Sequence, residues 1–204
     1  MVGLGPGNID YITKIGIESI KKCEIAIGGV RQLEEISSLL LPTCEKYTLG
    51  KLFDLIEFIN KNRDRKICII VSGDTGFYSL LSFLRKSYSR EELNVIPGIS
   101  SYQYLFSRIG EVWQDYKLLS VHGREAEYVD IFSKEKGIVL LTDNINTPYV
   151  IAKNIYEAGY RDVEIVVGER LSYPDEKITF INIEDYEKLN REFFINLMIV
   201  RKKS

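Results

Sequence analysis

The 204 residues carry 27 Lys and Arg against 29 Asp and Glu, a formal charge of −2, with 45% hydrophobic and 27% charged side chains. That length suits one large or two small domains, and the composition excludes disordered, collagen-like and low-complexity classes. A slightly acidic chain has no bulk attraction to nucleic acid or an anionic membrane, although a local basic cleft stays compatible with it. The longest apolar runs, Ile67–Val71 and Gly137–Leu141, are too short to span a bilayer. Met1-Val2-Gly3 runs directly into a glycine-rich turn with no signal-peptide pattern, so the expected setting is the cytoplasm.

In chain order, a strand stub before Gly3 is followed by candidate strands at Glu24–Ile27, Glu45–Thr48, Lys66–Val71, Leu93–Ile96, Lys117–Val121, Gly137–Leu141, Val163–Val167 and Phe194–Val200. Most are short β-branched runs, as expected of strands buried on both faces. Helical spacing separates them. Leu52, Leu55, Ile56 and Ile59 form one apolar stripe, and Phe77, Leu80, Leu81 and Leu84 repeat it. Tyr102, Leu105, Phe106 and Ile109 form a third stripe, and Ile151, Ile155 and Ala158 mark a helix that Gly159 should end. The alternation predicts an α/β protein with mostly parallel sheets. One continuous sheet is the alternative, but Gly110–Asp115 breaks the rhythm and divides the chain into two small α/β domains, 1–112 and 113–204. The second should finish antiparallel, at Phe194–Val200.

Cysteine and histidine counts remove several chemistries. Cys23, Cys44 and Cys68 are an odd set without a C-x-x-C pair, which argues against a disulfide framework and a zinc site. Cys68, inside an apolar run, reads as a small buried hydrophobe. His122 is the single histidine, so no two-histidine metal site exists and no resident metal is expected.

Three turns concentrate the functional signal. Gly3-Leu4-Gly5-Pro6-Gly7-Asn8 departs from the dinucleotide fingerprint, because its third glycine arrives one residue early. The next strand end, Ala26-Ile27-Gly28-Gly29, also lacks the carboxylate that binds a ribose. No G-K-[ST] follows, so a nucleotide P-loop is disfavoured too; a ligand-free strand-to-helix turn is the plain alternative. Val71-Ser72-Gly73-Asp74-Thr75-Gly76 ends the most hydrophobic strand of the first half, where open α/β sheets bind ligands. There Gly73 admits close approach, Gly76 should open a helix, and Asp74 is a ligand contact, a cap or Asx-turn residue, or both. In Ile96-Pro97-Gly98-Ile99-Ser100-Ser101, Ser100 or Ser101 caps the following helix, whose free amides suit a carboxylate or ribose oxygen. Three turns on one side of a parallel sheet imply a shared crevice.

In this order, Val2-Gly3-Leu4-Gly5-Pro6-Gly7, Ser72-Gly73-Asp74 and Ile96-Pro97-Gly98-Ile99-Ser100-Ser101 resemble the tetrapyrrole methylase family. The likeness spans essentially the whole chain. Gly73-Asp74-Thr75-Gly76-Phe77-Tyr78-Ser79, Trp113-Gln114-Asp115, Ser120-Val121-His122-Gly123-Arg124, and Gly168-Glu169-Arg170-Leu171 with Tyr173-Pro174-Asp175-Glu176 are similar to the branch that methylates cobalt-precorrin at C-5 in anaerobic cobalamin synthesis. The resemblance implies two α/β domains holding S-adenosylmethionine in a cleft between them, a precorrin or cobalt-precorrin substrate, a homodimer, and a separate C-15 methyltransferase/decarboxylase partner. It implies cofactor contacts at Pro6, Ser72, Gly73, Asp74, Ser100 and Ser101, with Thr142 closing over the adenosine. Thr75 stands where many relatives carry proline. The chain opens almost at the glycine turn, which leaves either a short first strand or a start further upstream.

A sulfonium methyl is already activated, so its transfer to an electron-rich ring carbon needs no metal and no covalent intermediate. Holding methyl and carbon in line at roughly 3 Å is worth up to roughly 7–11 kcal/mol. Either His122 removes the proton left on the methylated carbon or the macrocycle redistributes it. The substrate's many carboxylates call for arginines, and Arg31 and Arg124, each just past a strand end, are the candidates; ordinary surface arginines are the alternative. Lys61-Asn62-Arg63-Asp64-Arg65-Lys66 reads as a solvated helix end rather than a nucleic-acid patch. Rival readings are a methyltransferase of the same fold acting on protein or RNA, and a non-catalytic tetrapyrrole or nucleotide sensor.

Overall fold

The computed structural model describes residues 1–121 and 127–203. The chain divides into two compact units, Met1–Ser101 and Tyr102–Ser204. In the first lie β1 (Val2–Gly3), α1 (Lys14–Lys21), β2 (Ile25–Gly28), α2 (Val30–Glu35), β3 (Glu45–Thr48), α3 (Leu52–Lys61), β4 (Ile67–Val71) and α4 (Leu81–Leu84). Helix α5 (Ser101–Ile109) starts at the division. The second unit continues with β5 (Tyr116–Ser120), α6 (Tyr128–Lys134), β6 (Gly137–Leu141), α7 (Pro148–Glu157), β7 (Val163–Glu169), β8 (Lys177–Asn182) and β9 (Asn196–Lys202). The 112/113 boundary read from the sequence falls beyond α5, whereas the division precedes nearly all of that helix.

The first sheet is wholly parallel, in the order β1-β4-β2-β3. Its central strands β2 and β4 are covered on both sides, as their near-continuous hydrophobicity requires, while the edge strand β3 is largely exposed. Ala26, Cys68, Ile70 and Val2 face one cluster with Ile20, Leu33 and Ile36. The alternate residues Ile25, Ile27 and Ile69 face another, with Leu55, Leu84 and Tyr88. Period-two alternation thus serves two cores from one set of strands.

The second sheet, β5-β6-β9-β7-β8, is mixed. Only β5 and β6 pair in parallel; β9 inserts antiparallel between β6 and β7, the antiparallel finish expected of the second domain. The sequence missed β8, because its six residues mix polar and apolar side chains, all exposed or half-buried, and form no apolar run. It also missed the short helices α1, α2 and α6.

Two expected elements shrink. Leu93–Ile96 makes a single parallel bridge, Val2 to Ile96, because β1 offers only two residues to pair with. The helix expected from Phe77 is confined to α4, because Tyr78 takes a left-handed backbone angle of φ 47°. Gly76 accordingly lies in a turn and opens no helix. Among the described residues, no helix is long and apolar enough to cross a membrane.

Candidate active site

The carboxyl edge of the first sheet gathers the three turns. Gly5 and Gly73 exchange backbone hydrogen bonds, at 2.8 Å from the Gly73 amide and 3.2 Å from the Gly5 amide. The Leu4 amide donates to the Val71 carbonyl at 2.9 Å, and the Gly3 amide to the Ile96 carbonyl at 3.1 Å. Backbone meets backbone so closely here that side chains are excluded. A Cβ on Gly3 would lie 2.6 Å from the Gly73 oxygen and 2.8 Å from the Gly98 nitrogen. Gly73 differs from both. Its φ of 64° demands glycine, yet the nearest atom to an added Cβ is the Ser100 Cα at 3.8 Å. The backbone at Gly73 therefore leaves room for close approach.

Asp74 ties the second turn to the third. Its Oδ1 accepts from the Gly76 amide at 2.8 Å, an Asx turn, while Oδ2 accepts from the Gly98 amide at 3.3 Å. Pro6 is buried in the turn after Gly5, Ser100 is buried, and Ser101 is the first residue of α5. From the start of α2, Arg31 Nη2 and Gln32 Nε2 each donate to Ser72 Oγ at 2.8 Å. Glu35 holds the other end of the Arg31 guanidinium at 2.7 Å. Pro6, Arg31, Ser72, Gly73, Asp74 and Ser100 thus share one corner of the first unit. Gln32 escaped the sequence reading; its one signal is its place just after Gly28-Gly29.

Thr142 belongs to the second unit, immediately after β6. It is buried, and its hydroxyl donates to Asn196, 2.7 Å from the side-chain oxygen and 3.2 Å from the carbonyl. His122 and Arg124 lie outside the described residues. At the end of β7 the backbone makes a strained turn, with Arg170 at φ 44° and Ser172 at φ 69°. Arg170 pairs with Asp175 at 2.5 Å and lies over the Tyr173 ring, and buried Glu169 makes a two-pronged pair with Arg191. Glu176 accepts from the Ser172 amide at 2.7 Å and from Arg108 at 2.8 Å. Burial opposes its ionisation, but these bonds and the Tyr104 hydroxyl outweigh burial and hold the carboxyl below the usual range.

Elsewhere the first unit carries groups that do not face this corner. A cavity of about 390 Å³, lined by Met1, Ile67, Ile69, Tyr88 and Leu93 among others, lies at the opposite, amino edge of the sheet. Cys23 and Cys44 approach to 3.7 Å between sulfurs, and burial pushes the Cys44 thiol up to about 11. Cys44 packs half-buried against the first cluster, where a thiol is poor in thiolate.

Comparison with known proteins accounts for this arrangement. Residues 1–187 match the model of the family described as Tetrapyrrole (Corrin/Porphyrin) Methylases. The chain is 28% identical over 201 residues to a cobalt-precorrin-7 C(5)-methyltransferase of Salmonella typhimurium, covering 98% of this chain and 96% of that protein. It is 30% identical over 193 residues to a probable cobalt-precorrin-7 C(5)-methyltransferase of Methanocaldococcus jannaschii, covering 91% and 89%. A Sinorhizobium precorrin-6Y C(5,15)-methyltransferase (decarboxylating) is 25% identical over 180 residues, which cover 88% of this chain and only 43% of that protein. Among solved structures, a cobalt precorrin-4 methyltransferase superposes with a TM-score of 0.82 at 19% identity, covering 98% and 92%. A precorrin-6Y methylase from Archaeoglobus fulgidus superposes with a TM-score of 0.72 at 20% identity, covering 100% and 97%. The fold follows from the structures and the chemistry class from the family: this chain belongs to the tetrapyrrole methylases, and is an S-adenosylmethionine-dependent methyltransferase.

Proposed function

We propose that the chain methylates C-5 of a precorrin or cobalt-precorrin macrocycle in cobalamin biosynthesis. The observation that carries this reading is the corner itself, where turns one and three press bare backbone against Gly73 and leave the space over Gly73 open. That opening fits the methionine part of S-adenosylmethionine, which supplies an electrophilic methyl on a sulfonium. The likeness in sequence and length to the two C(5) relatives supports the ring position.

The chain's own residues then act by placement. Gly73 lets the cofactor touch backbone, and Asp74 keeps the second and third turns in register. Ser72 reaches the methionine part, Ser100 and Ser101 lie by the ribose, and Pro6 shapes the wall of the cleft. To Thr142 we assign the adenosine contact. Arg31, steadied by Glu35, and Arg124 bind substrate carboxylates. The proton on the methylated carbon passes to His122 or is redistributed within the macrocycle. We assign the C-15 methylation and decarboxylation to a partner activity outside residues 1–204, which match 43% of the C(5,15) relative. We also expect a homodimer, which sedimentation would check.

The decisive experiment is calorimetry with S-adenosylhomocysteine on the wild type and on Asp74→Ala, joined to turnover with cobalt-precorrin substrate followed by mass spectrometry. Binding that Asp74→Ala weakens, with one methyl gained at C-5, supports the proposal. Binding without S-adenosylhomocysteine production from the donor would refute it in favour of a sensor. Arg124→Ala should weaken macrocycle binding and leave the cofactor's affinity unchanged; equal loss of both removes Arg124 from the substrate site.

A further inference from the structure

We propose that Ser72 is a preset hydrogen-bond donor for a carboxylate, and that Gln32 is the positioning residue that sets it. The inference rests on the methyltransferase reading and deepens it. It begins with Gly28-Gly29-Val30-Arg31-Gln32 at the end of β2. A Cβ on Gly29 would overlap the Gln32 side-chain oxygen, so bare backbone there lets the Gln32 amide fold back toward the end of β4.

At that strand end, Arg31 Nη2 and Gln32 Nε2 both donate to Ser72 Oγ, each at 2.8 Å. A serine hydroxyl has two acceptor lone pairs and one proton. Both lone pairs are engaged, so the proton is directed to the remaining quadrant and the hydroxyl acts there as a donor only. Ser72 is exposed, and the ligand is taken to enter through that quadrant. The adjoining guanidinium makes the site favour an anion, and a donor paired with a fixed cation matches a carboxylate oxygen. Were Gln32 absent, a lone pair would be released and the hydroxyl would turn freely. The carboxylate is either that of the cofactor's amino-acid end or an acetate or propionate of the macrocycle.

Gln32→Leu removes one donor; Gln32→Glu, nearly isosteric, replaces it with an acceptor that draws the Ser72 proton inward. The probes are S-adenosylhomocysteine and methylthioadenosine, which lacks the carboxylate, by calorimetry, with KM and kcat for the macrocycle alongside. If the cofactor supplies the carboxylate, Gln32→Leu weakens S-adenosylhomocysteine about tenfold and Gln32→Glu weakens it more, with methylthioadenosine unchanged. If the macrocycle supplies it, both nucleosides bind as before and KM rises about tenfold at constant kcat. Either result supports the proposal. Equal weakening of both nucleosides, or variants indistinguishable from wild type in every measurement, overturns it. A wild type that binds no S-adenosylhomocysteine overturns the methyltransferase reading itself, and this inference with it.

Discussion

Each unit turns its chain sharply at a strand end, and the two do so by opposite means. After β4 the tight turn is built on glycine: Gly73 at φ 64° pairs with Gly5 and touches the bare backbone of Gly3 and Gly98. After β7 the left-handed positions are occupied by Arg170 and Ser172, and ion pairs to Asp175 and Arg191 surround them. Glycine accepts that conformation without steric cost and leaves space. A side chain there carries strain of about 1–3 kcal/mol, which neighbouring contacts must offset, but it places a charged group at the turn. The first corner is shaped to let something approach the backbone; the second is shaped to hold side chains in place.

Substitutions should separate these designs. The largest effect is expected at Gly98→Ala, whose Cβ would fall 2.8 Å from the Gly3 carbonyl carbon with no flexible side chain to yield. Urea unfolding should show a loss of about 3 kcal/mol or more; a loss below about 1 kcal/mol would mean the turns do not need bare backbone. At the second corner, Glu169→Ala strands Arg191. Because the Arg191 side chain is 37% exposed, the full penalty of a broken buried pair is reduced to about 2 kcal/mol. Asp74→Ala removes two amide acceptors at the first corner and should cost about 1–2 kcal/mol, with Asp74→Asn recovering part of it by keeping one oxygen.

Ser172→Gly has a smaller effect. Relief of the left-handed strain is offset by loss of the buried hydroxyl and the added freedom of the unfolded chain, so thermal melts should show a change within about 1 kcal/mol. A larger loss would place the turn's stability in the Ser172 side chain. The smallest effect concerns pH. The folded pKa of Glu176 lies below its ordinary 4.5, so its contribution is fully present above that value and is lost as pH falls through the lower, folded one. Wild type should therefore lose more stability than Glu176→Gln on acidification below 4.5; equal slopes would remove Glu176 from the turn's support.

How much of this was readable beforehand differs by element. β3 and β6 match their expected spans to the residue, and α5 begins at the serine pair expected to start it. β6 is a short apolar run with a clear boundary, and β3 is a β-prone stretch set off by Cys44 and Gly50, so local pattern sufficed. β8 had no such run. The stripe from Phe77 to Leu84 had the right spacing, yet it yields one helical turn, since spacing does not report the backbone angle at Tyr78.

The same division runs through the corner. Residue order alone identified three glycine-bearing strand ends and, through them, a family, because strand ends and tight turns are encoded within a few neighbouring residues. That Asp74 spans from Gly76 to Gly98, and that Gln32 and Arg31 converge on Ser72, depended on the folded arrangement. Those partners stand 24 and about 40 positions apart, and contacts over such distances exist only once the parallel strands are aligned side by side.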